Sequence, residues 1–134
     1  MESTPGSVAG RILARLSAEG DRTILHERRD GTWQGLTGRE IVGRVRRLAQ
    51  GLEATGVAPG DRVAIMAPNG PAWVLADLAI QANAGVTVAL YPTTPPDQCA
   101  VILRDAGCRV AFAVGADLAT RLRDAGAAGM RVYA

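Results

Sequence analysis

The chain has 134 residues, long enough for one small domain or part of one. Apolar residues make up 48% of it but aromatics only 4%, so alanine and other small side chains must build the core, with Trp33, Trp73, Tyr91, Phe112 and Tyr133 as its few large pieces. A net charge of +2 with no stripe of basic and aromatic residues gives no footprint for nucleic acid, and a composition without lysine excludes a Walker phosphate loop, whose lysine reaches the phosphates.

Taken in order, the pattern predicts a helix over Val8–Ala18 with Ile12, Leu13 and Leu16 inward. Strands Thr23–Glu27 and Thr32–Gln34 follow as a hairpin around Asp30-Gly31, a two-residue turn signal. Arg28-Arg29 is an exposed strand end, and His26 is a strand histidine. Thr37 and Glu40 form a T-x-x-E capping box. The helix they start carries the stripe Ile41, Val45, Leu48 and Leu52 and ends at Gly56. On it Arg44 and Arg47 share a face with Glu40, which lies four residues before Arg44; the Arg44, Arg46 and Arg47 cluster reads as a solvated helix face, the alternative being an anion or partner-docking patch. Gly60-Asp61 turns the chain into an apolar strand, Arg62–Ala67. Pro71 starts the next helix, since proline needs no amide donor at the first helical position. Its stripe is Leu75, Leu78, Ala79 and Ala82, and Gly85 ends it. Strand Val86–Leu90 leads to Tyr91-Pro92-Thr93, and Thr94-Pro95-Pro96-Asp97 caps a helix through Asp105. Strand Arg109–Val114, helix Asp117–Asp124 and strand Met130–Ala134 complete the chain.

From Arg62 onward a helix separates each pair of strands, which fits right-handed crossovers and a mainly parallel sheet. The near-continuous apolar strands suit burial on both sides. The expected fold class is therefore α/β: a mainly parallel sheet with helices on both faces, preceded by an N-terminal helix and a short β-hairpin. Residues 1–134 read as a single, incomplete subdomain.

Candidates for chemistry are few. The only serines are Ser3, Ser7 and Ser17, none in a strand-to-helix elbow, and the only histidine is His26, so a Ser-His-Asp triad is not expected. Cys99 and Cys108 lack a CxxC pattern, and His26-Glu27 lacks the second histidine of HExxH, so no metal site is expected. Cys99 shares a helix face with Ile102, Leu103 and Ala106, which marks a buried thiol; Cys108 opens a strand. Met1–Pro5 lacks the basic flank and apolar region of a secretory signal. Apolar runs reach only five residues, as in Val63–Ala67, far short of the roughly 20 a membrane span needs. A cytoplasmic protein with reduced thiols and no membrane span is expected.

Three pieces resemble the opening of adenylate-forming (AMP-binding) enzymes, most closely the acyl-CoA synthetases or long-chain fatty acid–CoA ligases. They are Leu36-Thr37-Gly38-Arg39-Glu40-Ile41, Gly56-Val57-Ala58-Pro59-Gly60-Asp61-Arg62-Val63, and Ala84-Gly85 followed by Leu90-Tyr91-Pro92-Thr93. Gly38 stands where the family has an aromatic residue and Ala89 where it often has proline. The resemblance implies the N-terminal part of a ligase domain that joins a carboxylic acid to AMP at the expense of ATP, then passes the acyl group to coenzyme A. ATP, Mg2+ and coenzyme A belong to that complete enzyme. The family's phosphate-binding loop and its C-terminal catalytic lysine have no counterpart in a lysine-free chain. No catalytic, cofactor-binding or metal residue is assigned, and the segment is not expected to be active alone.

Open parallel sheets bind ligands beyond the carboxyl ends of their strands. Here those ends are Pro68-Asn69-Gly70, Tyr91-Pro92-Thr93-Thr94 and Gly115-Ala116-Asp117. Asn69 either caps a helix or meets a ligand; Tyr91 and Trp73 either line an acyl pocket or serve as core or interface aromatics. With Thr93 they are the substrate-proximal candidates. Pro71 lacks the amide that an anion-binding helix start uses, and no strand is followed by GxGxxG, against a dinucleotide fold. The expected partner is the remainder of the ligase, supplied in trans. The alternatives are a non-catalytic acyl-binding or partner-docking module, or a small flavodoxin-like nucleotide-binding domain.

Overall fold

The structure is a computed structural model that describes residues 6–126 and 129–134. The reading of Met1–Pro5 therefore lies outside the described residues. Helix α1 (Val8–Glu19) is capped by Ser7, whose Oγ accepts from the Gly10 amide at 3.0 Å. It buries Ala9, Leu13 and Leu16, a spacing of i, i+4 and i+7, and leaves Ile12 41% exposed. The expectation that Ile12 points inward is corrected: Ala9, Leu13 and Leu16 share the buried side, and Ile12 lies off it.

Strands β1 (Thr23–Arg29) and β2 (Thr32–Thr37) form the antiparallel hairpin, each longer than the pattern suggested. Asp30 and Gly31 both take positive φ, 48° and 79°, the geometry whose twist matches that of paired strands. Thr37 then caps α2 (Gly38–Ala54). Its Oγ1 accepts from the Glu40 amide at 3.2 Å while its own amide donates to Glu40 Oε2 at 2.8 Å, completing the capping box. The buried stripe is Ile41, Val45, Ala49 and Leu52; Leu48 is only half-buried, at the stripe's edge. Gly38 is buried against α1, and a Cβ there would lie 2.2 Å from the Leu16 carbonyl oxygen. An aromatic residue at this position is incompatible with the way α1 sits on α2.

The remaining elements alternate: β3 (Arg62–Met66), α3 (Pro71–Ala82), β4 (Val86–Leu90), α4 (Pro96–Ala106), β5 (Val110–Ala113), α5 (Ala116–Ala125) and β6 (Arg131–Tyr133). The four strands form one parallel sheet in the order β4-β3-β5-β6. Alternation of side chains across β3 divides the core in two. Val63, Ile65 and Ala67 pack with α1, α2 and α3, while Ala64 and Met66 pack with Leu90, Cys99, Leu103, Ala119 and Leu122 on the other face. Strands β3 and β5 are covered on both sides as expected, but β4 lies at the sheet edge and leaves Val86 50% exposed.

The aromatic side chains depart from expectation. Trp33 is 68% exposed on the hairpin, Tyr91 is 78% exposed and Tyr133 is 40% exposed; only Trp73 and Phe112 pack against the core, and both only in part. Alanine, valine, leucine and isoleucine, with Met66, fill most of the interior. Cys99 and Cys108 are both buried and free. Ile102 lies outside the face that buries Cys99 and Leu103. Among the described residues, no helix is long and apolar enough to cross a membrane.

Candidate functional site

The first crossover, β3 to β4, runs to one side of β3, and the second returns past β3 to place β5 on its other side. The winding thus reverses between β3 and β5, and the crevice beyond their carboxyl ends is where open sheets take ligands. The Val114 amide donates to the Met66 carbonyl at 3.2 Å and closes the two strands together at this point.

Three loops frame that end. After β3, Asn69 is exposed and caps nothing: the N-cap of α3 is Gly70, without a side-chain hydrogen bond, and Pro71 follows. After β4, Tyr91 and Thr93 are exposed, and the loop is held from below by α5. Arg121 donates through Nη1 to the Pro92 carbonyl and through Nη2 to the Thr94 carbonyl at 2.6 Å. The Thr94 amide closes a turn on the Tyr91 carbonyl at 2.9 Å. The expected capping of α4 by Thr94-Pro95-Pro96-Asp97 is not made through a side chain, since Pro95 is the N-cap and has none to offer. After β5, Gly115 at φ 97° turns the chain into α5.

Asn69, Tyr91 and Thr93 thus share the carboxyl end of the sheet. Trp73, in the first turn of α3, packs instead against the core formed with α1 and α2, the interface-aromatic alternative. None of the four lines any of the clefts beside α2 or at the amino end of the sheet. Arg121 was not singled out by sequence reasoning, because its partners lie 27 and 29 residues away and no local pattern links them.

A nucleotide polyphosphate does not fit these loops. Pro71 removes an amide from the start of α3, Pro96 does the same for α4, and Asp97 and Asp117 put carboxylates into the first turns of α4 and α5. A phosphate at either of the latter would meet like charge where a helix otherwise favours anions. The one guanidinium held here, on Arg121, is spent on carbonyl groups. Among the described residues no three His, Cys, Asp or Glu side chains gather as a metal site.

The opposite, amino end of the sheet carries a cavity of about 150 Å3 lined by Arg62, Arg109 and Arg131. Its arginines are structural. Arg62 Nε donates to the Ala106 carbonyl at 2.7 Å, at the end of α4, and Arg131 Nη1 to the Thr55 carbonyl at 3.0 Å, at the end of α2. Cations suit helix C-termini, where carbonyls lack partners. Asp61 accepts from the Ala58 amide at 2.9 Å and from Arg109 at 3.2 Å. That amide and the Arg109 charge hold its carboxyl below the ordinary aspartate value. The Gly60-Asp61 signature is therefore turn architecture. Burial pushes the Cys108 and Cys99 thiols up, against any nucleophilic role.

Residues 14–133 match the model of the AMP-binding enzyme family. The chain belongs to that family. It is 34% identical over 107 residues to the long-chain-fatty-acid–CoA ligase FadD15 of Mycobacterium bovis, a match covering 80% of this chain and 18% of that protein. Among solved structures it resembles VinN in complex with L-aspartate (25% identity, TM-score 0.81, 96% of this chain and 35% of that one). It also resembles a putative long-chain-fatty-acid CoA ligase from Rhodopseudomonas palustris CGA009 (27% identity, TM-score 0.77, 95% of this chain and 32% of that one). This AMP-binding chain therefore spans about a fifth of the curated relative and a third of the solved neighbours. Its α/β fold is that of adenylate-forming ligase domains.

Proposed function

We propose that the chain is the N-terminal scaffold segment of an ATP-dependent acyl-CoA ligase and forms neither acyl-adenylate nor thioester by itself. One observation carries this reading: the family match covers residues 14–133, yet the sequence contains no lysine and all three helix starts at the carboxyl end of the sheet disfavour a phosphate. In the complete enzyme, ATP, Mg2+ and coenzyme A would be held by parts beyond this segment. Asn69, Tyr91 and Thr93 would border the acid substrate from the scaffold side, while Trp73 packs α3 onto the helical layer. A long-chain fatty acid is the favoured acid, in keeping with the names of FadD15 and the Rhodopseudomonas relative. A cytoplasmic setting with both thiols reduced belongs to the same reading and is consistent with free Cys99 and Cys108.

The test is ATP–pyrophosphate exchange with the purified 134-residue chain and a series of fatty acids. No exchange above a buffer blank is expected. Exchange that scales with the chain's concentration and survives removal of host ligases refutes the reading.

A further inference from the structure

Holding carbonyl groups uses only part of what the three arginines at the amino end of the sheet offer. Arg62 opens β3, Arg109 stands just before β5, and Arg131 opens β6. Val63 pairs with Val110, so Arg62 and Arg109 are neighbours on one face of the sheet. Val110 also pairs with Arg131, which therefore leaves from the other face. All three nevertheless line the same cavity of about 150 Å3. A guanidinium carries five N–H donors. Among the described residues, Arg62 spends two of them on the Ala106 and Gly60 carbonyls, Arg109 one on Asp61, and Arg131 one on the Thr55 carbonyl. Each fork thus keeps at least three donors beyond these bonds.

Charge and room agree with the donor surplus. Asp61 is the one carboxylate that lines the cavity among the described residues, and it pairs with Arg109 alone. The carbonyl ends of α2 and α4 add about half a negative charge each. Against three guanidinium groups, the cavity keeps a balance of about one positive charge. The guanidinium groups repel one another across it, and a bound anion relieves that repulsion. Gly107 forms part of the wall, and a Cβ there would lie 3.1 Å from Arg62 Nη2, so the wall is bare where that nitrogen sits. The space is several times the roughly 30 Å3 share of one water, enough for one phosphate group.

We propose that this cavity binds a single phosphate group, free or at the end of a larger molecule, on the forks of Arg62, Arg109 and Arg131. Planar guanidinium groups grip phosphate oxygens two at a time, which an ammonium does not. The proposal stands apart from the ligase reading, because Asn69, Tyr91 and Thr93 lie at the other end of the sheet and none of them lines this cavity.

The melting temperature of the 134-residue chain and the phosphorus NMR line width are followed as inorganic phosphate rises into the millimolar range. Sodium chloride holds the ionic strength constant. A saturable rise in melting temperature with parallel line broadening is expected. Glycerol phosphate in a second titration reads whether the ester or the free ion is held more tightly, and saturable binding of either supports the site. Arg109→Gln and Arg131→Gln each weaken binding by about tenfold. Asp61→Asn keeps an oxygen for the Ala58 amide but removes the like charge, so it tightens binding severalfold, a gain that a damaged fold does not imitate. Arg46→Gln removes the same charge from an exposed position on α2 and leaves binding unchanged. The proposal is overturned if phosphate acts no differently from chloride, or if its effect rises without saturating, as exclusion of a salt from the protein surface would. It is equally overturned if Arg46→Gln weakens binding as much as Arg109→Gln, or if Asp61→Asn fails to tighten it.

Discussion

Asn83 offers the sharpest test of how the helical layer is held. It closes α3, is 8% exposed, and donates through Nδ2 to the Ala49 carbonyl on α2 at 2.6 Å. Its Oδ1 is buried without a partner. Asn83→Asp is nearly isosteric but replaces the donor with a second acceptor, so an ionised carboxylate would face a carbonyl oxygen inside the apolar layer. The folded chain avoids this by keeping the carboxyl protonated, with its O–H in the place of Nδ2. Buried carboxyls are held up by several units, and each unit corresponds to about 1.4 kcal/mol. From an unfolded value near 3.9, about three units of titration at pH 7 make the cost about 4 kcal/mol. The sign follows from linkage. The folded variant binds a proton that the unfolded chain has released, so the loss is full at neutral pH and fades as pH falls toward 4. Asn83→Ala costs less, about 1–2 kcal/mol, because the lost hydrogen bond and small void are offset by removal of the unpaired oxygen. Urea unfolding followed by circular dichroism at pH 7, 6, 5 and 4, each variant against the parent at the same pH, measures both. Equal destabilisation by Asp and Ala at pH 7, with no recovery of the Asp variant on acidification, refutes the buried tie to Ala49.

Gly38→Ala forces a Cβ to within 2.2 Å of the Leu16 carbonyl and should cost about 1–3 kcal/mol, read as a lower melting temperature. Gly51→Ala, on the same helix with nothing within 4 Å, should instead raise stability by about 0.5–1 kcal/mol. Ala84 holds φ 53° without the freedom of glycine, so Ala84→Gly should raise the melting temperature or leave it unchanged; a clear drop would contradict that backbone. The Arg39 hydrogen bond and charge hold Asp21 below its ordinary 3.8, and the Thr37 amide and hydroxyl hold Glu40 below its ordinary 4.5. Their contribution is complete above those ordinary values and is lost as pH falls through the lowered ones. Glu40→Gln should therefore flatten the decline in stability between about pH 5 and 3, and an unchanged slope would count against the capping box.

Much of the fold was legible because its signals are local. The Thr37–Glu40 box, the Asp30-Gly31 turn, the Pro71 start of α3 and the Gly56 stop of α2 all act through neighbours within four residues. Each of those elements stands where its pattern placed it. The strand–helix alternation from Arg62 likewise dictated a parallel sheet, since right-handed crossovers admit little else. What local signals could not say is which side of an element another would cover. Ile12 is as apolar as Leu13, yet tertiary packing buries Ala9 and leaves Ile12 41% exposed. Trp33 and Tyr133 carry large apolar surface yet stay 68% and 40% exposed. Arg121 looks like any surface arginine until α5 brings it under the loop of Pro92 and Thr94. Composition and motif thus determined the family's scaffold and the want of a phosphate-binding lysine. Contacts between residues distant in sequence decided which side of α1 is buried, which aromatics stay exposed and how the loop after β4 is held by Arg121, because packing depends on neighbours that no local pattern contains.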